Sequence, residues 1–276
     1  MRFIGISLFI ISLIGFTGCY DVRVHEHPEW DTIFEANSIK KGTFEYYDNN
    51  KEIAHYINSD FHKDTFPPGA IFNLFQSIVA LDDGTAPTEQ FGLLLDSATK
   101  VSTSLKEAVA ENDEHFFRVL SLKIGEKSMK HALDTVRFGN KNINNKLDSF
   151  WYNGDLKISP DEMVGFMKRL YHNTLPFNDR AQRITRGMME KVESENYSKY
   201  FYQANIAKDA QTNIIWVVGF VEQIHKMAHV ETKQMQSIPH PFFFTLCYEV
   251  PNTYNNWQEQ SQKLLTQFLK ANDLDK

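Results

Sequence analysis

Two serines stand three residues ahead of a lysine, in Ser38-Ile39-Lys40-Lys41 and Ser97-Ala98-Thr99-Lys100. On a helix this spacing puts a hydroxyl and an amine on one face, where the amine can take the hydroxyl proton and create a nucleophile. Neither string has that setting. Ser38 precedes the first expected strand, Ser97 falls in a connection ahead of a long helical region, and such a motif means little without its structural context. His225 and His229 have the i, i+4 spacing of two metal ligands, but they follow a β-rich run and no third ligand is visible, so they read as a solvated hairpin. His25-Glu26-His27 could touch a metal, yet no further ligand pair sits at metal-site spacing, and it reads as a solvated linker. No metal and no cofactor is therefore expected. Cys247, inside Phe242-Phe243-Phe244-Thr245-Leu246-Cys247, has no basic neighbour in sequence to lower its pKa and reads as a small buried residue of a strand.

The chain has 276 residues, a net charge of −6, 42% apolar and 13% aromatic residues, enough for one large core. Nucleic-acid binders carry a basic footprint, which this charge lacks, so no nucleic-acid partner is expected. Met1-Arg2 followed by an apolar run from Phe3 to Phe16 has the form of a secretory signal and is short for a membrane span. It ends in Phe16-Thr17-Gly18-Cys19, which resembles a bacterial lipobox, with Phe16 departing from the usual Leu. The resemblance implies cleavage before Cys19, lipidation of Cys19, and a membrane anchor on the periplasmic side of the envelope. Tyr20 stands where an Asp often retains such proteins in the inner membrane, which points to the outer membrane. The expected organisation is a signal peptide over 1–18, a polar tether over 19–40 and one domain over 41–276.

Lys41 to Asp48 alternates β-forming residues and ends at Asp48-Asn49-Asn50, predicting a strand and turn, with His55 to Ser59 as its partner. Phe66 to Leu81 predicts a buried helix closed by Gly84. Leu105 to Val136 recurs at helical spacing with a break at Gly125, and Phe116, Phe117, Leu120 and Ile124 share a face. Ser159-Pro160-Asp161-Glu162 is a helix start. Ile214 to Glu222 and Phe242 to Val250 predict strands, and Asn255 to Lys270 an amphipathic closing helix.

These stretches together resemble the class D β-lactamases, the oxacillinases, and through them the penicillin-binding transpeptidases. The carriers are Lys41-Gly42-Thr43-Phe44-Glu45-Tyr46-Tyr47-Asp48, Pro68 with Phe72 and the tail Ser77 to Leu81, Phe138-Gly139-Asn140, Phe150-Trp151-Tyr152-Asn153-Gly154-Asp155-Leu156-Lys157-Ile158-Ser159, and Trp216-Val217-Val218-Gly219-Phe220-Val221-Glu222. The resemblance spans about Gly42 to Leu269. It implies a mixed α/β (α+β) fold, a central antiparallel sheet flanked by helices with an all-helical subregion. Phe72, Gly139, Asn140, Trp151 and Gly154 would be the retained scaffold of the old site.

The same resemblance implies a catalytic apparatus that this chain lacks. The family's nucleophilic serine falls on Ala70, and the lysine that takes its proton falls on Asn73. The second serine, thirteen residues before Gly125, falls on Asn112-Asp113-Glu114. The Lys-Thr-Gly strand, counted back from Gly219, falls on Gln203-Ala204-Asn205. The carboxylate-anchoring arginine belongs near the C-terminus, and no arginine follows Arg186. Alanine has no oxygen to attack a carbonyl and asparagine takes no proton at neutral pH. The expectation is a catalytically inactive envelope lipoprotein that works by binding cell-wall material or a periplasmic protein. Its cleft would offer Asn73, Asn112, Glu114 and Gln203 in place of a cationic pocket. The alternative is an enzyme that binds or slowly hydrolyses β-lactams with a non-standard nucleophile, Ser77 or Ser97.

Overall fold

The computed structural model describes residues 23–93, 104–144, 146–152, 154–228 and 235–276. The strands are β1 Val24–Glu26, β2 Gly42–Asp48, β3 Ile53–Tyr56, β4 Glu190–Glu193, β5 Tyr197–Ala207, β6 Thr212–Ala228 and β7 Met235–Pro251. The helices are α1 Asp31–Ala36, α2 Phe72–Asp83, α3 Leu105–Glu111, α4 Glu114–Ile124, α5 Glu126–Val136, α6 Pro160–Tyr171, α7 Asp179–Gly187 and α8 Trp257–Ala271. One sheet runs β1-β3-β2-β7-β6-β5-β4, antiparallel except for the edge pair of β1 with β3. The fold is the expected mixed α/β one.

Side-chain alternation along the central strands sorts the interior into two cores. Ile214, Trp216, Val218 and Phe220 of β6 join Tyr202, Ala204 and Ile206 of β5 in a core shared with α2 to α7. Ile215, Val217 and Val221 turn the other way, with Phe244, Leu246 and Tyr248 of β7, onto α8 and α1. Cys247 is buried within the first core, and burial pushes its thiol well up, as expected of an inert strand residue. In α8, Leu264, Leu265, Phe268 and Leu269 are all buried.

Local signals set the helix ends. Ser159 caps α6 and Glu162 returns a bond to its backbone N–H, a capping box with Pro160 in the first turn. Gly84 closes α2 at φ +82°. The stretch Leu105 to Val136 breaks twice. Besides Gly125, Asn112 takes a left-handed conformation at the end of α3 and Asp113 caps α4. The strands β6 and β7 are longer than the apolar runs that predicted them, because polar residues such as Gln223 and His225 continue the pairing opposite His240 and Ile238.

The expected tether over 19–40 is corrected from Val24 onward. β1 adds to the sheet beside β3, and Trp30, Phe34 and Ile39 are buried in the core against α8. The alternation of polar residues masked three large apolar anchors spaced along the segment. Likewise His25-Glu26-His27 is not a solvated linker. His27 stacks on Trp30, and its Nε2 lies 2.8 Å from Nδ1 of His55. Cys19 and the lipobox lie outside the described residues, as do Ser97, Lys100 and His229.

His55 also stacks on Tyr46, with ring centroids 4.5 Å apart. Burial, then the neighbouring His27 and His25, hold its pKa down at about 4, below the usual 6.5. The unfolded chain therefore binds more protons between these values, and stability is lost as pH falls from 6.5 towards 4. The group is about half buried, so solvent screening reduces the effect to on the order of 1 kcal/mol. His55→Phe is expected to flatten that part of the stability profile. Urea midpoints measured at both ends of the window test this, and an unchanged slope would contradict it.

Candidate functional site

The start of α2 is held from three sides by backbone and ring contacts. Phe66 and Ile158 exchange two backbone bonds of 3.0 Å, Gly69 N–H donates to Trp151 O at 3.1 Å, and the Trp216 indole donates to Pro67 O at 3.0 Å. The Gly139 and Asn140 pair braces the same place. Asn140 N–H donates to Lys157 O at 2.9 Å, its Oδ1 accepts from Lys157 N–H, and its amide donates to Asp155 O. Gly139 sits at φ +51°, and a Cβ there would stand 2.0 Å from Lys157 O. Phe72 stacks on Phe75 and meets Phe138, Phe150 and Trp151 edge-on or tilted, at 5.2–5.7 Å for these three. Gly154, at φ +87°, faces Pro67. These residues form a rigid frame that positions whatever stands at 70 and 73.

What stands there is inert. Ala70 is buried in a short turn, Gly69 to Ile71, packed on β5. Asn73 is fully buried, and its amide donates to the Tyr202 hydroxyl at 3.4 Å, which in turn donates to Val109 O at 2.8 Å. Burial pushes the Tyr202 hydroxyl pKa well up, so it is no base. Asn73 Oδ1, both polar atoms of Gln76 and the Trp151 indole nitrogen are buried without a well-formed partner. The frame thus surrounds neutral polar groups in place of an ionisable pair. Ser77, a possible substitute nucleophile, is buried and donates to Asn73 O at 2.7 Å.

The other expected cleft residues are only partly brought together. Asn112 does reach β5, its amide donating to Gln203 O at 3.3 Å. Glu114 lies near the cleft residue Tyr152, whose hydroxyl pKa burial and then the Glu114 charge push up. Glu114 is exposed and pairs with Arg118 on its own helix at 2.6 Å. The Gln203 side chain is also corrected, because strand alternation turns it away from α2. Its Oε1 accepts from Ser261 of α8 at 2.9 Å. The β5 residues in the α2 core are Tyr202, Ala204 and Ile206, and Asn205 is half-buried between them in sequence, with its Oδ1 unpartnered.

An open cleft of about 490 Å³ lies one step outward, lined by Phe66, Pro67, Tyr152, Lys157, Ala207 and Lys208, with Asp64, Thr65 and Gly154. Ala70 and Asn73 do not line it. Lys208 pairs with Glu249 at 2.5 Å and lies 5.9 Å from the Phe66 ring centre. The cleft therefore sets two lysines, one of them already paired with Glu249, beside Asp64 on an aromatic floor. Tyr152 and Lys157 flank a motif that sequence reading took as scaffold. The signal available was their place on either side of Gly154, where the chain must turn.

A model of the penicillin-binding protein transpeptidase domain matches residues 40–238, well over half of the chain. The chain belongs to this family. Among penicillin-binding transpeptidase domains, its relatives include class D β-lactamases. Beta-lactamase OXA-48 of Klebsiella pneumoniae is 28% identical over 237 residues, covering 80% of this chain and 86% of that protein. The solved class D β-lactamase YbXI from Nostoc is 26% identical with a TM-score of 0.76, over 88% of this chain and 97% of that one. The C-terminal domain of the Bacillus licheniformis BlaR penicillin-receptor shares the fold at a TM-score of 0.78 and 19% identity, over 92% and 98% of the two chains.

Proposed function

We propose that this penicillin-binding-fold protein is catalytically inactive and works by binding, anchored by a lipid at Cys19 on the periplasmic side of the envelope, at the outer membrane. The observation that carries the reading is the pairing of an intact frame with Ala70 and Asn73 at its centre. Acyl transfer needs a nucleophile and a base within hydrogen-bond reach, and an alanine methyl with an asparagine amide supplies neither. Fold alone does not supply the activity either. The same architecture forms the C-terminal domain of the BlaR penicillin-receptor, which supports a receptor role for this chain.

The ligand site in this reading is the cleft of Phe66, Tyr152, Lys157 and Lys208. An aromatic floor beside the Lys157 ammonium, with Lys208 held by Glu249 at its edge, suits an anionic, partly apolar fragment such as a cell-wall peptide with free carboxylates. Saturation with such a fragment at a hundred times its Kd is expected to add about 2.7 kcal/mol of stability, several degrees in Tm. Lys157→Ala should remove most of that shift while leaving the ligand-free Tm in place. A panel of cell-wall fragments that moves no Tm would contradict this site and favour a partner protein on the outer surface. For the anchor, Cys19→Ser is expected to abolish incorporation of labelled palmitate in cells; persisting label would contradict lipidation at Cys19.

A further inference from the structure

Three side chains from separate parts of the sequence meet beside β2: Glu45 of β2, His62 from the loop after β3, and Asp161 in the first turn of α6. One ligand-type atom of each lies within 4.8 Å of the other two. We propose that Glu45, His62 and Asp161 bind a first-row divalent cation of the zinc class. This site is independent of the proposed ligand cleft and of any acyl chemistry.

The spacing is the first argument. His62 Nδ1 stands 3.3 Å from Glu45 Oε2. Two donors bound at 2.0–2.1 Å to one tetrahedral ion lie about 3.3 Å apart. A charge-assisted hydrogen bond would close to about 2.7–2.9 Å. Other His–carboxylate pairs in this chain do close, His27 with Glu29 at 2.7 Å and His240 with Asp48 at 2.8 Å.

The second argument is burial, with the hydrogen-bonding side chains of Glu45 being His62 and Asp161 themselves. Glu45 and His62 are 2% and 5% exposed. His62 meets Glu45 through Nδ1, and its Nε2, on the other side of the ring, is buried with no hydrogen-bond partner. Among the described residues His62 is the one ion-pair partner that Glu45 has. Asp161 brings a second carboxylate close to the buried Glu45 and raises the electrostatic cost of holding both charged. A buried acid set against another acid is costly unless a cation joins them.

The surroundings suit an ion. The Tyr56 ring stacks on His62 at 4.2 Å, the His62 backbone N–H donates to Asn58 O, and the Asp161 N–H donates to His62 O at 3.3 Å. These contacts fix the backbone and ring plane of the ligands before the ion arrives. Asp161 is exposed and opens the site to solvent, giving an entry path. One imidazole with two carboxylates matches zinc or manganese chemistry better than calcium or magnesium, which favour all-oxygen shells.

The test uses the full chain in detergent, stripped with chelator and titrated with Zn²⁺ by calorimetry, and with Co²⁺ by visible absorption. One tight equivalent is expected, with Co²⁺ bands of a low-coordinate nitrogen–oxygen site and a rise in Tm on binding. Asp161→Asn, an exposed and fold-neutral change, should weaken binding at least about tenfold, and His62→Gln should abolish the Co²⁺ bands. The double variant His25→Ala with His27→Ala removes the competing imidazoles at the β1 edge and should leave the tight equivalent in place. No saturable equivalent, or equal affinity in Asp161→Asn, would overturn the proposal and assign the binding to adventitious histidines.

Discussion

Gly139→Ala is expected to destabilise the chain by about 2–5 kcal/mol. The position is left-handed at φ +51°, and an alanine Cβ would stand 2.0 Å from Lys157 O and 3.1 Å from Ile158 Cβ. The left-handed conformation alone costs a non-glycine residue about 1–2 kcal/mol. The clash is with backbone, so relief requires moving the Asp155 to Ile158 segment, and overpacking of this kind costs about 1–3 kcal/mol more. That segment holds Phe66 through the Ile158 bridge and so supports the turn bearing Ala70. Total stabilities run at about 5–15 kcal/mol, so a large share would be lost. Gly165→Ala is the control. Gly165 lies inside α6, a Cβ there meets nothing within 4 Å, and the change is expected to stabilise by about 0.5–1 kcal/mol. Urea unfolding of the two variants checks both signs. A Gly139→Ala protein within about 1 kcal/mol of the wild type, the range of an ordinary substitution, would show that the frame is pliant.

This contrast explains why the frame was legible in sequence while the open cleft was not. Gly139, Asn140 and Trp151 hold positions set by backbone geometry and close packing, which leave few alternatives and so persist as motifs. The buried helix α2 and the alternating β6 and β7 follow directly from apolar periodicity. The cleft is different. Lys157, Lys208 and Tyr152 come together because β5 ends beside the loop that follows Trp151, a contact that no local pattern encodes. The direction of Gln203 depends on strand phase, and a one-residue step sends a side chain to the opposite face. That step separates Gln203, on α8, from Tyr202, which reaches Asn73. The helical subregion was visible, but the break at Asn112 depends on a left-handed residue, which asparagine permits and does not require.

The N-terminal segment shows a second limit. Its polar composition argued for a tether, yet Trp30, Phe34 and Ile39 lock it to α8. Composition averages over a segment, whereas docking needs only a few large apolar side chains at suitable spacing. The Glu45, His62 and Asp161 cluster was equally invisible. Its members are scattered over more than a hundred residues, and the histidine pairs that do look like metal motifs, at 25–27 and 225–229, carry no such set among the described residues.

The central claim is that the retained frame performs no acyl transfer, and covalent labelling tests it most directly. The full chain, purified in detergent, is incubated with a fluorescent penicillin and read by gel fluorescence and intact mass, beside a class D β-lactamase as the positive control. No adduct is expected on the wild type. Ala70→Ser with Asn73→Lys restores a hydroxyl and an amine one turn apart on the fixed helix. Acylation of that variant is expected to stay at least about 10²-fold slower than in the control, because Asn112 and Gln203 supply neither the proton relay nor the cation that the reaction uses. A stoichiometric adduct on the wild type would contradict the account and direct peptide mapping first to Ser77 and Ser97.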